Sequence, residues 1–528
     1  MLKENLIIKD WRTVDFSFGL IYPNIYKIGM SSYSIRLLYY LINSYENIVC
    51  ERIFLPGKIK YPANRYYEPK TQIRSIENKV LLDEFDILGF SIQFENDFKN
   101  ILWILEESMI PIISQDRKNH HKEDGRHYPL IIAGGPVVTS NPLPFSNLFD
   151  LMFIGDSEPN IDFFFKEFNR YIHNKIRYKE LLKRTQLIEG IYVPSLNNRV
   201  KRAIQQDLNL APIPDYQIIA ELLEKKNIFE QNYFIEINRG CPYHCKFCIS
   251  SFHNSPFRNR SHNKIINTID KAIKVASFDT FSLIGSCVSA HPKFYEICKY
   301  IIDKGKSFSI PSIRIEHLSP KIIKILEKSG IKTITIAPET GSESLRYALG
   351  KKISNEKIYS TIREIKDSKI RNIKFYFLIG LPNEEEKDID ETIKMIKTIN
   401  DMRFNKDSLK INVNPLIPKL NTPYENEIDF FLRENINKLK LSYQKIIKEL
   451  NHLPSIKLKF QNIREIINNS KLQALISNGD KEISFLLTNY YFEGANFGAL
   501  RKAEKMCYFT IEDYFQKIKA GYHPWKLN

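Results

Sequence analysis

The chain has 528 residues, too many for one ordinary domain, and 43% of them are apolar, enough for two or three large cores. No run of 18 apolar residues occurs and Met1 to Asp10 carries no signal-peptide core, so neither a membrane span nor secretion is expected. The net charge of +16 permits a polyanionic partner, but the lysines are dispersed among Ile, Asn and Tyr with no basic block, which disfavours nucleic acid.

In chain order, Phe16 to Pro23 reads as a strand and Ser32 to Ser44 has helical spacing. Asp86 to Ser91 is a second buried strand, Asn96 to Glu107 a helix, Leu130 to Pro136 a third strand ending in a glycine turn, and Leu151 to Gly155 a fourth. Strand–helix alternation of this kind predicts an α/β fold with a doubly wound, Rossmann-like parallel sheet over residues 1–170. The polar stretch Asp116 to His127 interrupts it as a surface loop, its three histidines solvated. Residues 171–230 lose the rhythm; Gly190 to Pro194 and Ala211 to Pro214 read as a connector with short strands.

From Asn232 the alternation returns. Strands are expected at 233–237, 280–285, 311–315, 332–337, 372–379 and 409–414, six βα units that predict a partial barrel over residues 231–425. Residues 426–528 read as a helical C-terminal domain, in which Tyr490, Tyr491, Phe492 and Trp525 fit a core better than a pocket lining.

The most informative stretch is Cys241-Pro242-Tyr243-His244-Cys245-Lys246-Phe247-Cys248. It follows a buried strand, Phe234 to Ile237, and a turn at Gly240, so three thiols lie on one loop at a strand's C-terminal end. Iron–sulfur cubanes are normally held by four cysteines, and a compact triplet leaves one iron open to a non-protein ligand. Phe247 is placed to exclude water, and Arg239 and Lys246 to offset negative charge. The competing reading is a zinc knuckle, which needs a fourth ligand such as His244; pinned between Cys241 and Cys245, it closes a tetrahedron poorly. Cys50, Cys287, Cys298 and Cys507 sit among apolar residues as free thiols, which fits a reducing cytosol.

The triplet resembles the loop of the radical SAM superfamily. The resemblance implies that Cys241, Cys245 and Cys248 ligate a 4Fe–4S cluster and that S-adenosylmethionine chelates the open iron. One-electron reduction, by a donor of flavodoxin or ferredoxin type, then yields a 5′-deoxyadenosyl radical that attacks a substrate the sequence does not identify. Downstream segments carry the same resemblance. Gly285 and Ser286 stand where the superfamily often has Gly-Gly-Glu. Ser312, Arg314 and Glu316 alternate along an expected strand, so all three face one way, for a cofactor contact or a structural ion pair. Glu339 precedes Thr-Gly-Ser and is implied to reach the ribose hydroxyls or the methionyl amine. Ile379, before Gly-Leu-Pro, lies where adenine stacks, and Asn414 ends the sixth strand.

The first 170 residues resemble the cobalamin-binding-like domains of many radical SAM enzymes, on Ile131 to Pro136 and Phe153 to Glu158. Tyr22 to Asn24, Cys50 to Pro56 and Ser286 to Pro292 fit one branch of these proteins that names no substrate. The expected Asp-x-His-x-x-Gly is replaced by Tyr22 to Met30, which has no histidine. Two alternatives stay open: cobalamin bound without a histidine ligand, with methyl transfer as the outcome, or a fold kept without the cofactor, towards which the missing histidine leans. Two further readings compete. An RNA methylthiotransferase-like enzyme would need three N-terminal cysteines, and only Cys50 precedes Cys241. A non-catalytic iron–sulfur protein for electron transfer or redox sensing would not need the ordered cofactor contacts.

Overall fold

The computed structural model describes residues 3–4, 6–57, 59–62, 72–119, 127–218, 220–221, 232–459, 462–496 and 498–527. They divide into two compact units. The first comprises residues 1–231 with 475–514 and 523–528, the second residues 232–474 with 515–522.

The first unit is built on a six-stranded sheet of β1 (Phe16–Ile25), β2 (Ile48–Leu55), β3 (Ile87–Ser91), β4 (Leu130–Gly134), β5 (Leu151–Phe153) and β6 (Ile191–Tyr192). The order is β2-β1-β3-β4-β5-β6, parallel except for β6. Phe16, Phe18, Ile87 and Leu130 on one face pack with Tyr39 and Ile42 of helix Tyr33–Asn43 and with Phe164, Phe165 and Phe168 of helix Ile161–Ile172. Ile21, Val49, Leu88 and Ile131 alternate to the other side and are also buried, so both faces are covered, as in a doubly wound sheet. β6 falls in the expected connector, at Gly190 to Pro194. The polar loop at 116–127 is a short helix, Ser114–Asn119, followed by residues outside those described; His127 is exposed.

β2 is the strand that pattern reading misses. Glu51 and Arg52 interrupt its apolar run, yet all eight residues are buried. Arg52 Nε pairs with Glu77 Oε1 at 2.8 Å with both side chains fully enclosed. Glu51 accepts from Trp11 Nε1 at 2.7 Å. Buried charges are tolerated where partners satisfy them, and those partners are remote in sequence.

The second unit holds two parallel sheets. β7 (Asn232–Glu236), β8 (Thr280–Ile284) and β9 (Ser307–Ser309) form one, in the order β9-β8-β7. β10 (Thr333–Glu339), β11 (Asn372–Ile379), β12 (Leu409–Pro415) and β13 (Ile456–Leu458) form the other, in that order. Along β11, Ile373, Phe375, Phe377 and Ile379 are buried while Lys374, Tyr376 and Leu378 are half-buried, the alternation of a strand with two different faces.

The strand expected at 311–315 is not one: the third strand ends at Ser309 and residues Ile315–His317 form a single 3₁₀ turn. Pro311 has no N–H for the ladder. The two sheets are linked there by one bond, Ile313 N–H to Thr335 O at 3.2 Å.

The C-terminal stretch 426–528 is divided between the two units. Helix Ile436–Leu450 buries Leu439, Tyr443, Ile446 and Leu450 in the second. In the first, Asn141 Nδ2 donates to Gly479 O at 2.7 Å and to Ser477 O at 3.2 Å, capping the end of helix Ile463–Asn478. Tyr490 and Tyr491 are core residues there, with Tyr491 hydrogen-bonded to Glu106. Among the described residues no helix is long and apolar enough to cross a membrane.

Candidate functional site

The cysteine loop leaves β7 at Glu236, whose buried carboxylate anchors it. Arg239 Nε and Nη2 each donate to that carboxylate at 2.9 Å, and the fully buried Arg260 approaches to 3.4 Å. The Arg239 charge expected to offset a cluster is thus engaged by Glu236. Gly240 has φ of 80°, and a Cβ there would lie 2.5 Å from Asn254 O, so this turn admits only glycine. Cys248 N–H donates to Cys245 O at 3.0 Å, curling the loop so that the thiols of Cys241 and Cys245 act on Cys248. His244 takes a left-handed φ of 49°; its ring is exposed and Nδ1 donates to Pro242 O at 3.0 Å. It is turned outward, unlike a zinc ligand closing on the cysteines.

The outer side of the loop is fixed by the segment after β10. Lys246 N–H donates to Leu349 O at 2.9 Å. Phe247 packs with Leu345, Leu349, Leu381, Leu416 and Leu378, a small apolar cluster that seals this flank. Cys245 is only 7% exposed. Among the described residues no three His, Cys, Asp or Glu side chains close on a single ion. In a cubane each thiolate binds a different iron, so its ligands need not converge on one atom.

A fourth cysteine, Cys287, is the buried free thiol expected of it, and it lies beside the triplet. The neighbouring Cys287 thiol, three residues past β8, is the main influence holding the Cys241 thiol below its ordinary range, helped by Tyr243 N–H and Arg314 and opposed by burial. Burial is the main force pushing the Cys248 thiol up. Asn238 Nδ2 donates to Cys287 O at 2.8 Å, and a Cβ on Gly285 would stand 2.1 Å from Asn238 Oδ1. Gly285 therefore permits the close approach of the β8 loop to the cysteine loop. Ser286 is exposed.

Arg314 and Glu316 do come together, but from an irregular segment, and Ser312 is exposed beside them. Arg314 stacks on the Tyr243 ring at 3.8 Å and points Nη1 at Cys245 Sγ, 3.8 Å away. Tyr243 hydroxyl also bonds His317 Nε2, and His317 Nδ1 lies 2.7 Å from Ser289 Oγ, a chain no sequence pattern signalled. Burial lowers the His317 pKa. Asn238 Oδ1, Arg314 Nε and Glu316 Oε2 are buried without a hydrogen-bond partner in the protein, and each such atom calls for a partner such as a water, an ion or a bound ligand.

At the ends of the second sheet, Glu339 is buried and its Oε1 accepts from Lys351 Nζ at 2.7 Å. Ile379 is buried, and its carbonyl accepts Leu416 N–H at 2.8 Å; Asn414 is exposed. Glu384 accepts Gly380 N–H at 2.7 Å, holding the Gly380–Leu381 turn, and burial pushes its pKa up to about 8.

In the first unit the chain runs outward from β1 to β2 and returns to β3, so the switch point lies between the β1 and β3 ends, where open α/β sheets bind ligands. Small neutral groups line it. Gln93 Nε2 donates to Ser91 Oγ at 3.1 Å, and Ser34 Oγ lies 3.2 Å from Ser91 Oγ. Gly135, with φ of 108°, would press a Cβ to 2.6 Å from Ile92 O. Tyr26–Gly29 forms a short helix where Asp-x-His-x-x-Gly is missing, and residues 1–100 contain no histidine. Ile28 and Phe94 are large apolar side chains exposed after β1 and β3.

These features meet in known proteins. Residues 235–396 match the model of the radical SAM superfamily, and residues 34–194 the model for the N-terminal part of radical SAM proteins. The two models together span more than half of the chain, which belongs to the radical SAM superfamily. Among individual relatives, the uncharacterized protein MJ0966 of Methanocaldococcus jannaschii is 28% identical over 469 residues, covering 88% of this chain and 89% of the relative. The tRNA-2-methylthio-N(6)-dimethylallyladenosine synthase of Bacillus pumilus is 24% identical over 178 residues, and the matched segment is 35% of its length and 31% of this chain. Two solved structures share the fold. The radical S-adenosylmethionine methyltransferase TsrM of Kitasatospora setae, with cobalamin and a [4Fe-4S] cluster, has a TM-score of 0.53 at 11% identity, covering 93% of this chain and 99% of TsrM. The cobalamin-dependent S-adenosylmethionine radical enzyme OxsB, with aqua-cobalamin, has a TM-score of 0.55 at 14% identity, covering 96% of this chain and 76% of OxsB.

Proposed function

We propose that the chain is a radical SAM enzyme in which Cys241, Cys245 and Cys248 hold a 4Fe–4S cluster and the second unit's strand ends hold S-adenosylmethionine. The observation that carries this reading is the loop itself, where three thiols on one turn are backed by Phe247 and flanked by Arg314. The donor set fits, since thiolates are the ligands of such clusters and His244 is turned away. Bound together, cluster and S-adenosylmethionine supply one-electron reductive cleavage of a carbon–sulfur bond, with the electron from a flavodoxin- or ferredoxin-type donor. The chain's own residues bind and orient. Glu339 offers a carboxylate to the ribose hydroxyls or the amine, Gly285 and Ser286 the loop after β8, Ile379 an apolar edge and Asn414 a polar one. Arg314 and Glu316 present the orphaned Nε and Oε2, with Ser312 at the rim.

In the first unit the residues fit cobalamin held without a histidine. The Gly134–Gly135 turn gives a ligand tail access to the backbone, and Ser34, Ser91 and Gln93 offer neutral hydrogen-bonding groups. The exposed Ile28 and Phe94 suit a broad apolar ring. With cobalamin bound, methyl transfer to an unidentified substrate is the outcome this arrangement serves. The methylthiotransferase-like reading is weaker, because Cys50 is fully buried inside β2 with its pKa pushed up by burial.

Anaerobic reconstitution followed by dithionite and S-adenosylmethionine tests the first claim. Wild-type protein is expected to form deoxyadenosine, and Cys245→Ala to lose both cluster absorbance and product; persistence of either overturns the ligand assignment. An electron carrier would make no deoxyadenosine at all. For the second claim, protein purified from a cobalamin-supplemented culture is expected to carry about one corrinoid per chain, and a corrinoid-free preparation removes methyl transfer from the proposal.

A further inference from the structure

We infer that Lys351 and Arg346 are positioning residues for Glu339, and that Lys351 acts from the same turn that clamps the cysteine loop, so that one brace serves both S-adenosylmethionine and the cluster. The inference rests on the radical SAM reading above and deepens it.

Glu339 is the last residue of β10 and has φ of 71°. For a residue with a Cβ this region is strained, and it persists only where the surroundings over-determine it. They do so here. Arg346 is fully buried and directs its guanidinium at three carbonyls: Nε donates to Pro338 O at 3.1 Å, Nη2 to Thr340 O, and Nη1 to Ile353 O at 2.9 Å. Pro338 and Thr340 flank Glu339, so one planar side chain fixes the backbone on both sides of the strained residue. Burial among carbonyls lowers the pKa of Arg346.

Lys351 then fixes the side chain. Its Nζ donates to Glu339 Oε1 at 2.7 Å and to Ala337 O, and the two side chains are each 10% exposed. A carboxylate accepts several donors at once, so an oxygen held by Lys351 leaves Glu339 able to receive an amine or a pair of hydroxyls. The same turn touches the cluster loop. Leu349 O accepts Lys246 N–H at 2.9 Å, and a Cβ on Gly350 would stand 3.5 Å from His244 O and 3.7 Å from Cys245 Cα. Leu349, Gly350 and Lys351 thus tie the loop at one end and the carboxylate at the other.

Four full-length proteins, reconstituted anaerobically, test the inference: Lys351→Met, Lys351→Arg, Glu339→Gln and the double variant Glu339→Gln/Lys351→Met. The readouts are iron and sulfide per chain, the dissociation constant for S-adenosylmethionine, and the shift that S-adenosylmethionine causes in the electron paramagnetic resonance of the reduced cluster. Lys351→Met is expected to keep its cluster and to weaken S-adenosylmethionine binding by about tenfold or more, the scale of a lost charge-assisted hydrogen bond. Lys351→Arg is expected to recover most of that loss, and the double variant to bind no worse than Glu339→Gln alone. Binding by Lys351→Met within about twofold of wild type, or penalties that add in the double variant, would overturn the inference. If Lys351→Met does not accumulate as folded protein, Glu339→Gln decides: unchanged affinity and an unchanged resonance shift refute the role. A wild-type protein whose cluster does not respond to S-adenosylmethionine would instead sink the functional reading on which the inference stands.

Discussion

The two units solve the same geometric problem with different chemistry. Both are parallel α/β layers that gather polar groups at strand C-termini. In the second unit the gathering is charged and sulfur-rich: Glu236 with Arg239 and Arg260, Arg314 against Cys245, Lys351 on Glu339. In the first it is small and neutral, with Ser34, Ser91, Gln93 and a glycine turn. The first unit's fully enclosed ion pair, Arg52–Glu77, lies inside the sheet region, beside the buried Cys50 thiol. A charged mouth suits a metal cluster and a charged cofactor. A neutral mouth with backbone clearance suits a bulky ligand held by shape.

The largest expected effect probes the buried ions of each unit. Glu77→Ala removes the carboxylate that neutralises the enclosed Arg52, which costs about 3–5 kcal/mol. Glu236→Ala removes the carboxylate that Arg239 holds at 2.9 Å and the buried Arg260 approaches at 3.4 Å. The comparison predicts that both lower the thermal midpoint, while only Glu236→Ala also loses cluster content, measured as iron per chain after reconstitution. Equal cluster loss in both would erase the distinction between a fold-supporting and a site-supporting pair.

Acid titration gives a second contrast, worth a few kcal/mol. Burial raises Asp97 in the first unit to about 6, and Glu384 in the second to about 8. A carboxyl whose folded pKa is raised binds its proton more tightly in the folded state, so stability falls as pH rises from the ordinary value to the raised one and then levels. For Asp97 that window runs from its ordinary value of 3.8 to about 6, and for Glu384 from 4.5 to about 8. Asp97→Asn should remove its share of the slope between 3.8 and about 6, and Glu384→Gln its share between 4.5 and about 8, read as unfolding midpoints in urea across pH. Glu384→Gln keeps an acceptor for Gly380 N–H, so a profile as steep as wild type would show that this carboxyl is not the group titrating.

Glycine substitutions sharpen the comparison at smaller cost. Adding a methyl at Gly135 or at Gly285 meets Ile92 O or Asn238 Oδ1 and should destabilise by about 1–3 kcal/mol. Gly135→Ala is expected to reduce corrinoid content and spare the cluster; Gly285→Ala is expected to do the reverse. Loss of both by either variant would mean that the effect is global.

How much of this was legible follows from what is contiguous in sequence. The cysteine triplet, the doubly wound alternation and the helices at Tyr33–Asn43 and Phe98–Glu107 depend on local spacing, and they are read directly. β2 was hidden because Glu51 and Arg52 look like surface residues until Trp11, Glu77 and Asn78 are seen around them. The strand at 311–315 was an error of period: Ile313 and Ile315 do alternate inward, but Pro311 stops the ladder. Cys287, His317, Arg346 and Lys351 lay outside the expected site because each reaches it through a partner distant in sequence or through main-chain carbonyls, for which no residue pattern exists.

The smallest predicted effect concerns charge near the cluster and separates what sequence suggests from what geometry provides. Lys246, between two of the cysteines, invites a role in offsetting cluster charge. Its side chain is exposed, 5.9 Å from the Tyr424 ring centroid, where water and salt screen it. Arg314 is remote in sequence but half-buried, with Nη1 3.8 Å from Cys245 Sγ. A cation and hydrogen bond at a ligand sulfur stabilise the more negative, reduced cluster, so removing them makes reduction harder. Arg314→Met should therefore shift the midpoint potential to more negative values, while Lys246→Ala leaves it unchanged within error, both followed by potentiometric titration of the reconstituted protein. A shift with Lys246→Ala as large as that with Arg314→Met would break the ordering, because a screened ammonium would then match a half-buried guanidinium in contact with sulfur.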